Sequence, residues 1–412
     1  LIAKGYKVAI CEQMEDPALA KGLVDRDIIR IVTPGTVIDA SMLEEGKNNF
    51  IAAVCRTGSG AGACFCDIST GEVSATAFSG RDWQEHLFNE LGRFAPREAV
   101  LDTAAWEDVE LREFLRLRLD CRCELGREED FAPDRAMETA RKQFRTGLED
   151  LPGEAEAAVR ACGGLLIYLY ETQKTDLSHL TAFRYYTGGE FMELDLTARR
   201  NLELTETMRS KEKRGSLLWV LDHTKTAMGG RMLRSWLEKP LLRPREIERR
   251  SAAVEELVNA SVERQELQVT LREITDMERS IGRIVAGTAN ARDLLGMATA
   301  MSALPELLSQ LSAFQSERLK ALADQLDPLE DLCSELSRAI VDEPPFTVRE
   351  GGMIRDGYDE QVDQLRSIMS GGKGNLAGIE AAEREKTGIP KLKVGYNRVF
   401  GYYIEISKTY QG

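Results

Sequence analysis

FIAAVCRTGSGAGACFCDISTGEVSATAF, Phe50 to Phe78, is the stretch that decides the fold class of this 412-residue chain. Three apolar runs stand in it, FIAAVCR, GACFCDI and GEVSATAF, joined by the Gly-rich GSGAG and by an STG turn. Runs this short, bounded by turn residues and rich in small, branched and aromatic side chains, predict three consecutive strands. A helical pattern, DWQEHLFNEL, comes next, then the apolar strand EAVLD, then more helices. Among those, Ala155 to Thr172 reads as a buried helix in spite of its Gly163-Gly164 pair. This part of the chain is α/β.

Outward from there the texture changes on both sides. Toward the N-terminus, Lys7 to Cys11 is a short apolar strand, and IIRIVTPGTVID, Ile28 to Asp39, is another, broken at Thr33-Pro34-Gly35. Toward the C-terminus, strand signals vanish after about residue 195 for some 150 residues. LDLTARRNLEL, SLLWVLDHTKTAMGGRMLRSWLEKPLL, REIERRSAAVEELVN, ITDMERSIGRIVAG and ANARDLLGMATAMSALPELLSQL carry apolar positions at helical period. Pro240 and Pro244 separate two of them. No repeat period is present, so a helical domain is predicted rather than an array. Tyr358, Val362, Leu365 and Met369 then form a narrow seam, as on a long helix that packs along one side. Gly371–Gly374, GGKG, is expected to weaken or bend that helix. Helical texture resumes from Leu376 to Lys386 and leads into KVGYNRVFGYYIEISKTYQG, Lys393 to Gly412.

Length and composition bound the class. The chain is too long for one core, so two to four domains are expected. Its 43% hydrophobic and 30% charged residues are ordinary for globular protein. No apolar run approaches the ~18 residues of a membrane span, and no signal peptide opens it. It begins on Leu1, in what reads as the middle of a domain, so an internal piece of a longer protein is expected. Eight cysteines in such a length predict no disulfide scaffold and a reducing cytosol. Two CxC pairs, Cys64/Cys66 and Cys121/Cys123, lack the usual zinc spacing, and there are only three histidines to assist. Small thiols packed on one strand face are the expected reading.

Charge is unevenly spread along a chain of net -14. Glu98 to Arg160 holds 17 acidic and 10 basic residues, whereas Asp195 to Arg250 holds 14 basic and 8 acidic. Lys386 to Gly412 holds five basic residues and one acid, Glu405. Phosphate contact depends on such local charge, not on the global sum. Lys391 and Lys393 alternate with Leu392 and Val394 and would line one strand face, a pattern that any half-buried hairpin also shows. For Asp195–Arg250 a solvated helical face is favoured over contact with phosphate or another domain.

Signals of catalysis are few. There is no GxxxxGK[ST], and SGGKGN at Ser370–Asn375 lacks its spacing and hydroxyl. No GxSxG occurs, and His86, His179 and His223 have no Cys or Ser partner in a recognised order. The strands around CDISTGEVSATAF resemble the opening of a ribonuclease-H-like sheet, in which a first-strand Asp, here Asp67, binds Mg²⁺. A two-metal nuclease needs further carboxylates at the same place. Glu72, Glu90 and Asp102 are available, with nothing in the sequence that brings them together. Asp-Ser-Thr-Gly is also good turn chemistry. A metal-dependent nuclease is therefore the alternative function.

Taken in order, YKVAICEQMEDP, RIVTPGT, CDISTGE, LDLTARRNLEL, KTAMGGRMLRSWLEKPL and LKVGYNRVFGYYIEIS resemble the bacterial MutS family of DNA mismatch repair proteins. The likeness covers essentially the whole chain. It implies a multidomain α/β plus all-α architecture. Residues 1–40 would be the C-terminal part of a mismatch-recognition domain, and 48–165 a ribonuclease-H-like connector. Residues 180–385 would be a helical core with long lever helices, and 386–412 the first strands of a small β-rich clamp. The family's clamp grips the DNA backbone, which makes Lys391, Lys393, Arg398 and Lys408 the expected phosphate-facing residues. Their role would be positioning without base readout. Leu392, Val394, Ile404 and Ile406 would form the clamp's small core. Tyr396, Tyr402 and Tyr403 would pack on the hairpin rather than stack on bases, since a duplex offers none unstacked.

The resemblance further implies a parent that is a DNA-dependent ATPase using ATP and magnesium. It would work in the cytoplasm as a homodimer on mismatched double-stranded DNA, with a downstream matchmaker protein as partner. The family's mismatch wedge, an aromatic-x-Glu, is absent here, and the ATPase would lie beyond Gly412. No catalytic centre, cofactor or metal site is expected within these residues; the expected role is transmission of conformational change.

Overall fold

The computed structural model describes the chain except for residues 16–22, 190, 398–400 and 408–412, and except for the side chains of residues 3, 369–377 and 396–397. It forms two compact units, Leu1–Ser334 and Glu335–Gly412.

The first unit opens on a hairpin. Strand β1 (Val8–Gln13) pairs antiparallel with β2 (Arg26–Val32), with a register shift between Ile10 and Cys11. The predicted break at Thr33-Pro34-Gly35 follows, with Thr33 and Gly35 buried. Thr33 N–H donates to Thr36 Oγ1 at 2.9 Å. Gly35 approaches the sheet so closely that a Cβ there would lie 2.8 Å from Ile51 Cβ. The fully buried Glu98 carboxylate accepts from Gly35 N–H at 3.1 Å, from the Thr33 hydroxyl, and from the Tyr168 hydroxyl at 2.5 Å. A buried charge is tolerable only with such a set of donors.

The three predicted strands are β3 (Ile51–Thr57), β4 (Gly60–Asp67) and β5 (Glu72–Ser79), an antiparallel meander. β6 (Glu98–Leu101) runs parallel to β3, β7 (Arg122–Leu125) parallel to β6, and β8 (Arg184–Tyr185) parallel to β5. The order across the sheet is β7-β6-β3-β4-β5-β8. Helices cover both faces, which is why the strands read as continuous apolar runs instead of alternating ones. Ile51, Ala53, Cys55, Cys64 and Cys66 face the helix Glu156–Gln173, with Cys162, Leu165 and Leu169 in the same core. Ala52, Val54, Ala63 and Phe65 face Leu87, Leu91 and Phe94 of the helix Trp83–Phe94. Cys64 and Cys66 thus share one strand face as packing.

Glycines draw these layers together. GSGAG is not all turn, because β4 already includes Gly60 and Gly62. A Cβ on Gly62 would fall 2.0 Å from the Ala157 carbonyl, so strand and helix touch backbone to backbone. The Gly163-Gly164 pair serves the same end. A Cβ on Gly163 would lie 2.4 Å from Ala136 Cα in the helix Pro133–Gln143, and one on Gly164 would lie 2.5 Å from the Phe131 ring.

From Leu196 onward the first unit is helical. Side chains cap the starts: Ser216 for Leu217–Leu221, Thr226 for Ala227–Glu238, Asp276 for Met277–Val285, and an Asn290/Asp293 capping box for Ala291–Ser302. Pro244 stands in the first turn of Pro244–Asn259, where its missing N–H costs nothing.

The second unit is built on one helix, Glu360–Thr387, whose 28 residues span about 42 Å at 1.5 Å each. The Asp359 carboxylate caps it by accepting from Val362 N–H at 2.9 Å, and left-handed Gly388 ends it. The helix runs without a break through Gly371–Gly374, which was expected to weaken or bend it. Each glycine costs about 1 kcal/mol relative to alanine but keeps its backbone hydrogen bonds, so fixed ends suffice to carry the helix across. Of the expected seam, Leu365 is 61% exposed and Tyr358 37%, Val362 is half-buried, and the Met369 side chain lies outside the described residues.

Candidate nucleic-acid interface

β9 (Lys393–Asn397) and β10 (Gly401–Glu405) form the closing antiparallel hairpin. Lys391 and Lys393 are exposed on either side of Leu392, which is 3% exposed. The end of the long helix fixes this triplet. Arg384 Nε donates to the Leu392 carbonyl at 2.8 Å, and Glu380 accepts from Val394 N–H at 3.0 Å. Arg384 and Glu380 also pair with each other, one helical turn apart. The backbone between the two lysines is therefore anchored while their ammonium groups reach solvent. Lys393 faces Glu405 across the strands, so one of the two cations has an acid opposite it.

Part of the hairpin departs from expectation. Ile404 is 60% exposed and Ile406 is exposed too, which leaves Leu392 as the buried member of the predicted small core. Among the described residues these two strands have no second layer to cover their apolar face. Tyr403 packs within the hairpin, its ring filling the space over Gly395. Arg398 and Lys408 lie outside the described residues, as does the Tyr396 side chain.

Two places where the α/β and helical parts of the first unit meet stand out among the described residues. At one, arginines of the helices grip the segment that leads into β3. Arg231, almost wholly buried, donates to the Glu45 carbonyl at 3.1 Å, to both Asp276 oxygens at 2.7 and 2.8 Å, and to Glu278 at 2.6 Å. Arg279 donates to the Glu44 carbonyl at 2.9 Å and the Lys47 carbonyl at 2.7 Å. Burial works to raise the Asp276 carboxyl, but the hydrogen bonds and charge of Arg231 outweigh it and hold the group below the usual carboxylate range. On the same helix, a Cβ on Gly282 would lie 2.8 Å from the Ser69 carbonyl, so Met277–Val285 presses on the turn after β4.

The second joint is aromatic. The Lys239 ammonium lies 5.4, 4.7 and 5.4 Å from the ring centres of Phe94, Tyr186 and Phe191. Met192 N–H donates to the Pro240 carbonyl at 2.8 Å beside it. A cavity of about 560 Å³ opens here, with Arg93, Tyr186 and Lys239 in its lining.

Residues 1–41 match the description MutS domain I, residues 49–181 MutS domain II, and residues 197–395 MutS domain III. The chain belongs to the MutS family. Among curated relatives, DNA mismatch repair protein MutS of Ruminiclostridium cellulolyticum is 46% identical over 410 residues, 100% of this chain and 47% of the relative. The protein of the same name in Acetivibrio thermocellus is 43% identical over 410 residues, again 100% and 47%. That of Symbiobacterium thermophilum is 44% identical over 414 residues, 99% and 47%. The chain spans about half the length of the relatives it matches.

In this MutS chain Glu90 and Asp102, of the carboxylates considered for a nuclease, serve tasks apart from Asp67 and its neighbour Glu72. Asp67 is the last residue of β4, the second strand of the meander, and not on the first strand as the sequence suggested. It accepts from Ser69 N–H at 2.9 Å, Ser69 Oγ at 2.6 Å, Asn48 Nδ2 at 2.9 Å and Asn49 N–H at 3.1 Å, which is turn chemistry carried to completion. Glu72 is its strand neighbour. Glu90 accepts from Tyr186 at 2.6 Å and pairs with Arg93. Asp102 caps Thr103–Glu107 and accepts from Arg56 N–H at 3.0 Å. Among the described residues no group of three or more His, Cys, Asp or Glu is placed to hold a metal. SGGKGN lies inside a helix, so its amides do not form a phosphate cradle.

The basic stretch Asp195–Arg250 was expected to be a solvated face, and for Arg231 and Lys239 that is corrected: both turn inward onto the α/β part. Sequence reading missed Arg231, Arg279 and Glu98. The available signal was a charge sitting among small or apolar neighbours, as in AMGGRM and PREAVL.

Proposed function

We propose that this chain is the part of a mismatch-repair protein that holds the DNA backbone and carries conformational change. The observation that carries the reading is the anchored pair of exposed cations, Lys391 and Lys393, at the end of a 28-residue helix in a MutS-family chain. In this reading residues 1–40 complete a mismatch-recognition domain, 48–165 form the connector, 180–385 the core and lever, and 386–412 the first strands of the clamp. The order β5-β4-β3-β6-β7, a meander followed by two parallel strands on its far edge, supports a ribonuclease-H-like connector. The parent would be an ATPase using ATP and magnesium, a homodimer on mismatched duplex in the cytoplasm, with a matchmaker protein downstream. No helix among the described residues is long and apolar enough to cross a membrane.

Transmission follows from the joints. A movement of the helical part pulls the Glu44–Lys47 segment through Arg231 and Arg279, and pulls the far end of the sheet through Lys239. Lys391, Lys393, Arg398 and Lys408 serve the duplex as phosphate contacts, whose loss weakens binding on every sequence alike. The test is Lys391→Glu with Lys393→Glu in the full-length parent. Duplex affinity is expected to drop and its dependence on salt to flatten by roughly one unit of log–log slope per contact. Unchanged affinity and slope would remove these lysines from the DNA surface.

A further inference from the structure

Neither transmission nor DNA contact uses the cavity beside Lys239, and that cavity lies along an open edge of the sheet. β8 pairs with β5 at Ser74 and Ala75. The ladder ends where Tyr186 N–H donates to the Ala75 carbonyl at 3.1 Å. Alternate residues of a strand point their backbone groups to the same side. Ala77 and Ser79 therefore turn N–H and C=O toward the lane that β8 has left. Phe78 faces the other way, its carbonyl against Gly60 of β4. Among the described residues no strand pairs with Ala77 or Ser79 along that lane. The cavity of about 560 Å³ occupies it, with Ala77, Phe78 and Ser79 in its wall. An open edge of this kind is a template for another strand.

The two walls of the lane differ in charge. On the side of the helix Trp83–Phe94 stand Arg93, Arg199 and Lys239. Arg93 already pairs with Glu90. Of the other acids on this side, Glu238 pairs with Arg234 at 3.6 Å and Glu193 lies 3.1 Å from His86. No carboxylate among the described residues comes within 4.0 Å of Arg199 or Lys239. Arg199 Nε and Nη1 are buried without a hydrogen-bond partner. A cation held out of water without an acid is costly, and a carboxylate entering the cavity would offset that cost. On the side of the helix Glu156–Gln173 the wall instead carries the exposed Glu154 and Glu156.

We propose that this edge is a docking site for an extended peptide of a partner protein, with acidic side chains on one face and basic ones on the other. The peptide takes the lane beyond Tyr186 as a further strand and bonds Ala77 and Ser79 through its backbone. The edge from Thr76 to Ser79 is roughly 13 Å long at ~3.3 Å per residue. Side chains alternate along a strand, so the acidic row meets Arg199 and Lys239 while the basic row meets Glu154 and Glu156. Main-chain bonds supply affinity and the two walls supply selectivity. The bound strand touches the sheet together with the segments that carry Arg199 and Lys239, so it braces the aromatic joint.

The experiment uses the intact chain and a fluorescein-labelled hexapeptide of alternating Lys and Glu, which as a strand puts every carboxylate on one face. Its isomer, three Lys followed by three Glu, has the same composition and net charge without that sorting. By fluorescence anisotropy the alternating peptide is expected to bind at least about tenfold tighter than the isomer. Arg199→Gln should remove most of that preference. Ala77→Pro deletes an N–H that an edge strand can spare, so it should weaken the alternating peptide about tenfold and leave the melting temperature near that of the parent chain. Amide exchange at Ala77 and Ser79 should slow severalfold when the alternating peptide is bound. Equal binding of the two isomers, no binding of the alternating one at ~1 mM, or unchanged exchange at both amides would overturn the proposal. Slowing of those amides with chain concentration alone would give the edge to a second copy of the chain and overturn it as well.

Discussion

Lys393 and Glu405 stand directly opposite each other across the β9–β10 pair. Cross-strand neighbours of opposite charge attract, and an acid at that position works against a polyanion approaching the lysine. Glu405→Gln in the full-length parent is expected to tighten duplex binding by roughly two- to fivefold and to steepen its salt dependence. Fluorescence anisotropy between ~50 and 200 mM salt reads both. Equal affinity and slope would mean that Lys393 does not meet phosphate.

Arg231, itself nearly buried, pairs with Asp276, which is 21% exposed, and with Glu278, which is 49% exposed. Arg231→Met strips Asp276 of its two shortest hydrogen bonds while Arg279 stays 3.9 Å away, a loss of about 1–3 kcal/mol, seen as a lower urea midpoint. The sign of the pH effect follows from the depressed Asp276 group. Its contribution is present above the unfolded value near ~3.9 and is lost as pH falls through the lower folded value. That acid-side loss should be missing from the Arg231→Met titration.

Glycine substitutions should sort by what the new methyl meets. Gly163→Ala drives a Cβ to 2.4 Å from Ala136 Cα and is expected to cost about 1–3 kcal/mol. Gly62→Ala, at 2.0 Å from backbone that cannot rotate away, should cost more. Gly296→Ala, helical and with nothing within 4 Å, should stabilise by roughly 0.5–1 kcal/mol. Thermal melts of the three variants give the ranking; a destabilised Gly296→Ala together with a neutral Gly62→Ala would contradict the packing described.

His179 ties the turn after β4 to the chain beyond the central helix, its Nε2 lying 2.8 Å from the Ile68 carbonyl. Burial, partly offset by that carbonyl, lowers its pKa. The unfolded chain therefore takes up a proton more readily, and stability falls as pH drops through the ordinary histidine value of ~6.5 toward the lower folded one. Melting between pH 7.5 and 5.5 should show this decline, and His179→Gln should flatten it.

Much of this architecture could be read before any coordinates. Strands β3 to β6 were legible because both faces are covered, which leaves unbroken apolar runs. The family blocks were legible because several are long. What was illegible depends on distance in the chain. Gly163-Gly164 reads as a weakness until the Phe131 ring and Ala136 are seen against it. Arg231 reads as surface charge until Asp276 is placed beside it. Asp67 reads as a possible ligand until four donors occupy its oxygens. At the closing hairpin, alternation predicted that Lys391 and Lys393 face outward, and both are exposed. It could not tell that Ile404 would remain uncovered.

The grip of Arg231 and Arg279 on Glu44–Lys47 spans 186 to 235 positions of sequence. On a ribosome adding ~5–20 residues each second, the segment waits roughly ten to fifty seconds for those arginines. Throughout that interval it is open to proteases and to mispairing, and nascent chains halted short of Asp276 should be cleaved there. Order of synthesis thus makes the helices the final assembly step for a peptide that was translated long before them.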